Sequence, residues 1–285
     1  MRMFGLGGEE ITSTPPVINA SQPSEPSNPS NLPDWALSLL SKPSISTRKG
    51  IERGFFGAKE DSSVLVLTAP SGRYVDIRFA LTGDDPCSPS NPAFWAFAGI
   101  STMEISGAKK DGRIDGGFEC TAHGKWEHPI DSSRDFDAID EGDMFLLQNG
   151  DVMEIGTTEN PETGKVQLYK EYWTSPSPKP RTMRPCVVAE IKGTIAGAGA
   201  DGKGMIVRIG DYVQGIFQTE EQSGEFWVER WLRSTDRQAE GWIKDDRSNT
   251  TEELIPIIWA TGEMRKLGDK ITCKERNWEV VEVMN

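Results

Sequence analysis

The chain has 285 residues, 31 Lys and Arg against 44 Asp and Glu, and a formal net charge of -13. That balance excludes sequence-independent nucleic-acid binding, which needs Lys and Arg to displace counterions along the phosphates, and it disfavours anionic membrane surfaces. A body of this size can bury roughly 70 to 75% of its unfolded surface without crosslinks, and no apolar stretch approaches the about 20 residues that insertion into a bilayer needs.

Met1 to Glu10 has no sustained apolar run before its two acids, so no secretory signal is expected. The four cysteines, Cys87, Cys120, Cys186 and Cys273, form no Cys-x-x-Cys pair, which suits reduced thiols and a cytoplasmic location. The sequons at Asn19 and Asn249 are then expected to be unused. Residues 12 to 34 are rich in Pro, Ser and Asn and too poor in large apolar groups to offset ordering entropy. Residues 1–45 therefore read as a flexible tail, with a short docking helix over 33–40 where Trp35, Leu39 and Leu40 fall at helical spacing. Such a helix would cover a barrel mouth or bind a partner.

The folded body begins near Ser46. Val64 to Leu67 and Arg73 to Leu81 flank the turn residues Ala69-Pro70-Ser71-Gly72. In the second arm Val75, Ile77, Phe79 and Leu81 share one face, and Tyr74, Asp76 and Arg78 the other. The densest apolar patch follows, Pro92 to Gly99. Its period of two separates Trp95 and Phe97 from Phe94, Ala96 and Ala98, so this strand should be covered on both sides. Gly116 to His128 reads as a half-buried antiparallel strand with Phe118, Cys120, Ala122, Gly124 and Trp126 on one face and Glu119, His123, Lys125 and Glu127 on the other. Asn149-Gly150 signals a type I′ hairpin, and Pro161 to Gly164 another turn before Lys165 to Thr174. About eight short strands at intervals of 8 to 12 residues suggest a barrel or sandwich over 46–175.

Ser175-Pro176-Ser177-Pro178-Lys179-Pro180 reads as a stiff linker separating two cores. Beyond it, 183–285 repeats the style with six more strand segments, a turn near Glu275, and one short helix at Pro256 to Ala260 with Pro in its first turn. The fold class expected is all-β, two antiparallel β-barrels in tandem behind a flexible tail.

Chemical motifs are few. Gly197 to Gly202 fits G-x-G-x-x-G, but Met205 to Ile209 continues as a strand where a dinucleotide site needs a helix, so a hairpin loop is expected. Cys120 and His123 point to opposite strand faces, and His128 lies about 26 Å from Cys120 at about 3.3 Å per residue, so no metal site is expected. With 2 His in the chain a Ser-His-Asp triad is hard to build, and no cofactor or catalytic residue is assigned. Among the carboxylates and their partners, Asp76, Arg78, Glu119 and Glu171 sit where burial would matter. Tyr169, Glu171 and Trp173 share one face, as do Trp227 and Trp231. If a barrel holds a cavity, Trp95, Phe97, Trp126 and Trp173 are its expected ligand-binding walls.

Three stretches, Trp95-Ala96-Phe97-Ala98-Gly99, Gly210-Asp211-Tyr212-Val213-Gln214-Gly215-Ile216 and Asn277-Trp278-Glu279-Val280-Val281-Glu282, with Glu171-Tyr172-Trp173 closing the first half, resemble a small fungal family named for interaction with a yeast casein-kinase-1-type kinase. The resemblance runs from about Ser46 to the end and excludes the tail. It implies lipocalin-like barrels, a cytoplasmic and also nuclear location, a kinase partner, a link to protein translocation, and a homodimer. Two functions follow as expectations. The first is a non-enzymatic interaction protein that binds a partner such as that kinase. The alternative is a barrel for a hydrophobic small molecule, acting as a cofactor-independent isomerase or cyclase in fungal natural-product biosynthesis.

Overall fold

The computed structural model describes residues 32, 34, 37, 40–54, 57–105, 120–136, 139–147, 149–160, 163–176, 184–194, 202–220, 224–234, 241–250, 253–262 and 265–285. Eight strands form the first sheet: β1 Ser44–Arg53, β2 Ser62–Thr68, β3 Arg73–Ala80, β4 Trp95–Ile105, β5 Cys120–Asp131, β6 Asp140–Leu146, β7 Val152–Asn160 and β8 Lys165–Thr174. Each pairs antiparallel with the next, and β1 pairs with β8, so the sheet closes into a barrel. Closure leaves no unpaired edge.

Seven strands form the second sheet: β9 Cys186–Thr194, β10 Gly202–Ile209, β11 Tyr212–Thr219, β12 Phe226–Arg233, β13 Trp242–Lys244, β14 Lys270–Cys273 and β15 Arg276–Met284. Their order is β13-β12-β11-β10-β9-β15-β14, also antiparallel throughout, and the sheet curls into a half-barrel with short strands at both edges. A single turn of helix, α1 Ile257–Thr261, lies in its concave face. Ile255, Ile257 and Ala260 pack there against Ala189, Ile206, Val213, Phe217 and Trp278, with Trp227 and Trp231 at the margin. Gly215 makes room for this, because a Cβ at that position would lie 2.6 Å from Ile255.

The alternation read from β3 is present, and its apolar side faces outward from the barrel. Val75, Ile77 and Phe79, with Leu65, Leu67, Ala96 and Ala98, form one cluster with Val188, Val207, Ile209 and Ile216 of the second sheet. This cluster joins the sheets on either side of the proline-rich segment. Each sheet has its own interior, and a third apolar layer joins them. The reason is that β2, β3 and β4 are apolar on their outer face, and burying that face against β10 and β11 removes it from water. Of the linker, residues 177–180 lie outside the described residues.

Polar side chains pin this layer. Gln214 Nε2 donates to the carbonyls of Leu65 at 2.9 Å and Val75 at 3.1 Å. Arg230 Nη2 donates to the carbonyls of Ile77 at 2.6 Å and Ser63 at 3.1 Å, and its Nε to Gln214 Oε1 at 2.9 Å. Gln218 exchanges two bonds with the backbone of Asp131, accepting from its N–H at 3.1 Å and donating to its carbonyl at 3.0 Å.

Turns follow the glycines. Gly72, at φ +90°, donates to the carbonyl of Ala69 at 2.9 Å between β2 and β3. The β6–β7 hairpin differs in type from the I′ turn expected at Asn149-Gly150. Gly150 donates to the carbonyl of Leu147 at 3.0 Å and Leu147 to that of Asp151 at 2.9 Å, with Gly150 at φ +84°. This is a longer loop closed by a glycine bulge, whose left-handed residue glycine tolerates best. The glycine motif at 197–201 lies outside the described residues, but Gly202 opens β10, which pairs antiparallel with β9.

Candidate ligand-binding site

Inside the first barrel is a cavity of about 470 Å³. Its existence traces to glycines. Gly124, Gly142 and Gly156 stand opposite one another on β5, β6 and β7, and Gly156 faces Tyr169 on β8. A Cβ on these glycines would lie 2.5 Å from the Trp126 ring, 2.8 Å from Glu154 Cγ and 2.5 Å from the Tyr169 hydroxyl. Three adjacent strands thus lack side chains at one level, and neighbouring side chains fold over the gap instead of filling the barrel. A barrel of eight strands is wide enough either to be filled by its own side chains or to hold one small ligand.

The cavity has two chemically distinct zones. Val64, Val66, Met103, Met144, Val152 and Trp173 form an apolar end, sealed by Leu32, Leu37 and Leu40 of the N-terminal segment. Within the expected docking helix, Asp34, Leu37 and Leu40 are described and are helical, and the other residues of 33–40 lie outside the described residues. Leu32 and Leu40 are buried, so this segment covers the mouth of the barrel.

The middle of the barrel is ionic. Glu171 Oε1 accepts from Arg48 Nη1 at 2.5 Å and from Arg78 Nη1 at 3.3 Å. Arg48 is also held by Glu60, at 2.8 Å, and Asp61, at 3.2 Å. Arg78 donates to Asp76 Oδ2 through Nη2 at 2.8 Å and Nε at 3.0 Å, and its guanidinium lies over Trp95 and Phe97. Burial pushes the Asp76 carboxyl up from its ordinary value, while Arg78 pulls it back. Its second oxygen, Oδ1, is buried and has no hydrogen-bond partner among the described residues.

Glu154 sits in this zone with Tyr169 donating to Oε1 at 2.7 Å and Trp173 Nε1 donating to Oε2 at 3.0 Å. Burial and then the charge of Glu171 raise its carboxyl to about 8. Behind Phe97, His128 stacks on that ring at 4.1 Å and pairs with Asp131 at 3.2 Å and Asp140 at 3.1 Å. Burial alone would lower its pKa, but its bonds to the two carboxylates outweigh that and raise it to about 9. Asp131 in turn accepts from Trp95 Nε1 at 3.0 Å, so the bond to Gln218 ties this wall to the second sheet.

Trp95, Phe97, Trp126 and Trp173 all line the cavity, as do Asp76, Arg78 and Glu171. Glu119 lies outside the described residues. Residues 44–282 match the family model described as Protein HRI1. The chain belongs to the HRI1 family. An uncharacterized protein of Saccharomyces cerevisiae, YLR301w, has a similar solved structure at 16% identity, covering 85% of this chain and 98% of that one with a TM-score of 0.58. That likeness is one of fold. No curated protein matches the sequence. The HRI1 match begins at the first residue of β1, so the segment sealing the barrel mouth lies outside it.

Among the participants of this HRI1-family site that the sequence does not single out are Arg48, Glu154 and Asp140. Glu154 left a signal, a lone acid in the apolar run Val152 to Ile155. Arg48 left none, because a register shift between Arg48 and Gly50 breaks the alternation of β1 and turns both Arg48 and Ile51 inward.

The raised pKa values of Glu154 and His128 set a pH dependence. The folded state holds both protons more tightly than the unfolded chain does. Their contribution is therefore complete below the unfolded pKa values, about 4.3 for Glu and 6.5 for His, and is lost as pH rises through about 8 and about 9. Urea unfolding between pH 6.5 and 9 should show stability falling by the order of 1 to 2 kcal/mol per pH unit. Glu154→Gln should make that slope shallower, and a flat profile for the unsubstituted chain would contradict the assignment.

Proposed function

We propose that this HRI1-family protein is a non-enzymatic binding protein that holds one small amphipathic molecule inside its N-terminal barrel. The observation that carries this reading is the cavity of about 470 Å³, lined by Trp95, Phe97, Trp126 and Trp173, apolar at one end and crossed by a buried ionic cluster. The volume is within the range of about 300 to 1,000 Å³ typical of small-molecule sites. Binding is favoured over isomerase or cyclase chemistry because the polar groups are mostly engaged with one another. Arg48 and Arg78 are paired to carboxylates, and both Glu154 oxygens are occupied.

The test uses dodecanol as a neutral amphiphile. It should bind at one molecule per chain by native mass spectrometry and stabilise the fold by about 2.7 kcal/mol at a hundredfold excess over its Kd. Val66→Trp, which places an indole in the cavity, should abolish both effects while leaving the protein folded. Absence of saturable binding in the unsubstituted chain would overturn the reading.

A protein-partner role is the second reading, with the casein-kinase-1-type kinase that the resemblance implies. Its structural support is the exposed cross-strand pair Leu232 and Ile243 beside the three-residue edge strand β13. Leu232→Lys with Ile243→Lys should abolish capture of such a kinase by the purified chain if that edge is the docking site.

A further inference from the structure

We propose that the amphiphile bound in the barrel carries a cationic head, a primary alkylammonium group, received by Asp76 Oδ1, with its alkyl tail in the apolar end beneath Leu40. The proposal rests on the binding reading above and specifies its ligand class. The first observation is Asp76 Oδ1, which is buried and has no hydrogen-bond partner among the described residues. Asp76 is 2% exposed and lines the cavity, and its other oxygen is occupied by Arg78. A buried acceptor without a donor is costly, so a ligand that supplies an N–H there removes the penalty.

The second observation is charge. Among the described residues around the cavity, carboxyl groups outnumber cations five to three, and four charged carboxylates face three cations when Glu154 is neutral. The cations are largely committed. Arg78 is held by Asp76 and Glu171, Lys42 donates to the carbonyl of Ser101 at 2.6 Å, and Arg53 lies 3.7 Å from Asp61. A carboxylate head would enter with no uncommitted cation among the described residues of the barrel's middle and with acids around it. An ammonium head meets the reverse, and its charge-assisted bond to Asp76 is of the stronger kind. Opposite it, Val66, Met103, Met144 and Val152 supply the apolar surface for a chain.

The experiment titrates the full-length chain with dodecylamine, dodecanol and dodecanoate at neutral pH and physiological salt, reading quenching of Trp95, Trp126 and Trp173. Dodecylamine should bind at least about tenfold more tightly than dodecanoate, a difference of about 1.4 kcal/mol. Asp76→Asn should remove about tenfold of the amine affinity and leave dodecanol within about threefold. Equal or tighter binding of dodecanoate would overturn the proposal, and so would amine binding that is non-saturating or unchanged in Asp76→Asn, which marks adsorption to the acidic surface. The comparison of the three probes on the unsubstituted chain stands even if Asp76→Asn fails to fold. Saturable dodecanol binding without amine preference defeats this inference alone, whereas no saturable binding of any probe defeats the binding reading itself.

Discussion

Glu171→Gln is expected to destabilise the protein by about 3 to 5 kcal/mol, the usual cost of breaking a buried ion pair from one side. Glu171 is the shared acceptor of Arg48 and Arg78, and the side chains of all three are at most 12% exposed. Removing its charge leaves two guanidinium groups in the barrel with one fewer counterion, and neither can shed its proton. Glu154→Gln, a change of the same type in the same barrel, should cost far less at pH 6. There Glu154 is already neutral, with its pKa raised to about 8, and an amide oxygen can still accept from Tyr169. Urea denaturation of the two variants side by side decides the matter. Equal losses would mean that the ionic cluster is not organised around Glu171.

Gly99→Ala is expected to cost at least about 3 kcal/mol, at the upper end of what forced overpacking does. Gly99 sits at the register shift between Ala98 and Ile100, where β4 bulges against β5. A Cβ there would lie 1.9 Å from the carbonyl oxygen of Glu127 and 2.6 Å from Cδ of Pro129. The Glu127 carbonyl cannot yield easily, since it also accepts the hydroxyl of Tyr74 at 3.1 Å. Gly150→Ala makes the control. It sits at φ +84° with open space around it, so it should cost only about 1 kcal/mol. Denaturation midpoints that place Gly99→Ala within that smaller range would show that β5 does not approach so closely.

Much of the site can be read along the strands. Tyr169, Glu171 and Trp173 alternate inward in β8, and Tyr74, Asp76 and Arg78 do so in β3, because a strand presents every second side chain to the same face. The same rule locates Trp95 and Phe97. It fails for Arg48, where a bulge shifts the phase, and it is silent on which face is the interior. In β3 the apolar face would ordinarily be assigned to the barrel core. The structure turns that face outward onto β10 and β11 and places the charges inside.

Alternation, turn glycines and acidic composition by themselves determined an all-β chain of antiparallel strands, a short helix near Pro256, and the side chains that would share a face. Those are local properties, set by backbone sterics and a repeat of two. Only the tertiary structure decided that the first sheet closes while the second stays an open half-barrel around α1. It also decided that Gly124, Gly142 and Gly156 align in the barrel wall, and that Asp76, a lining residue of the cavity, keeps one buried oxygen without a hydrogen-bond partner among the described residues. Each of these depends on which strands become neighbours and in what register, and register is a contact between residues far apart in the chain.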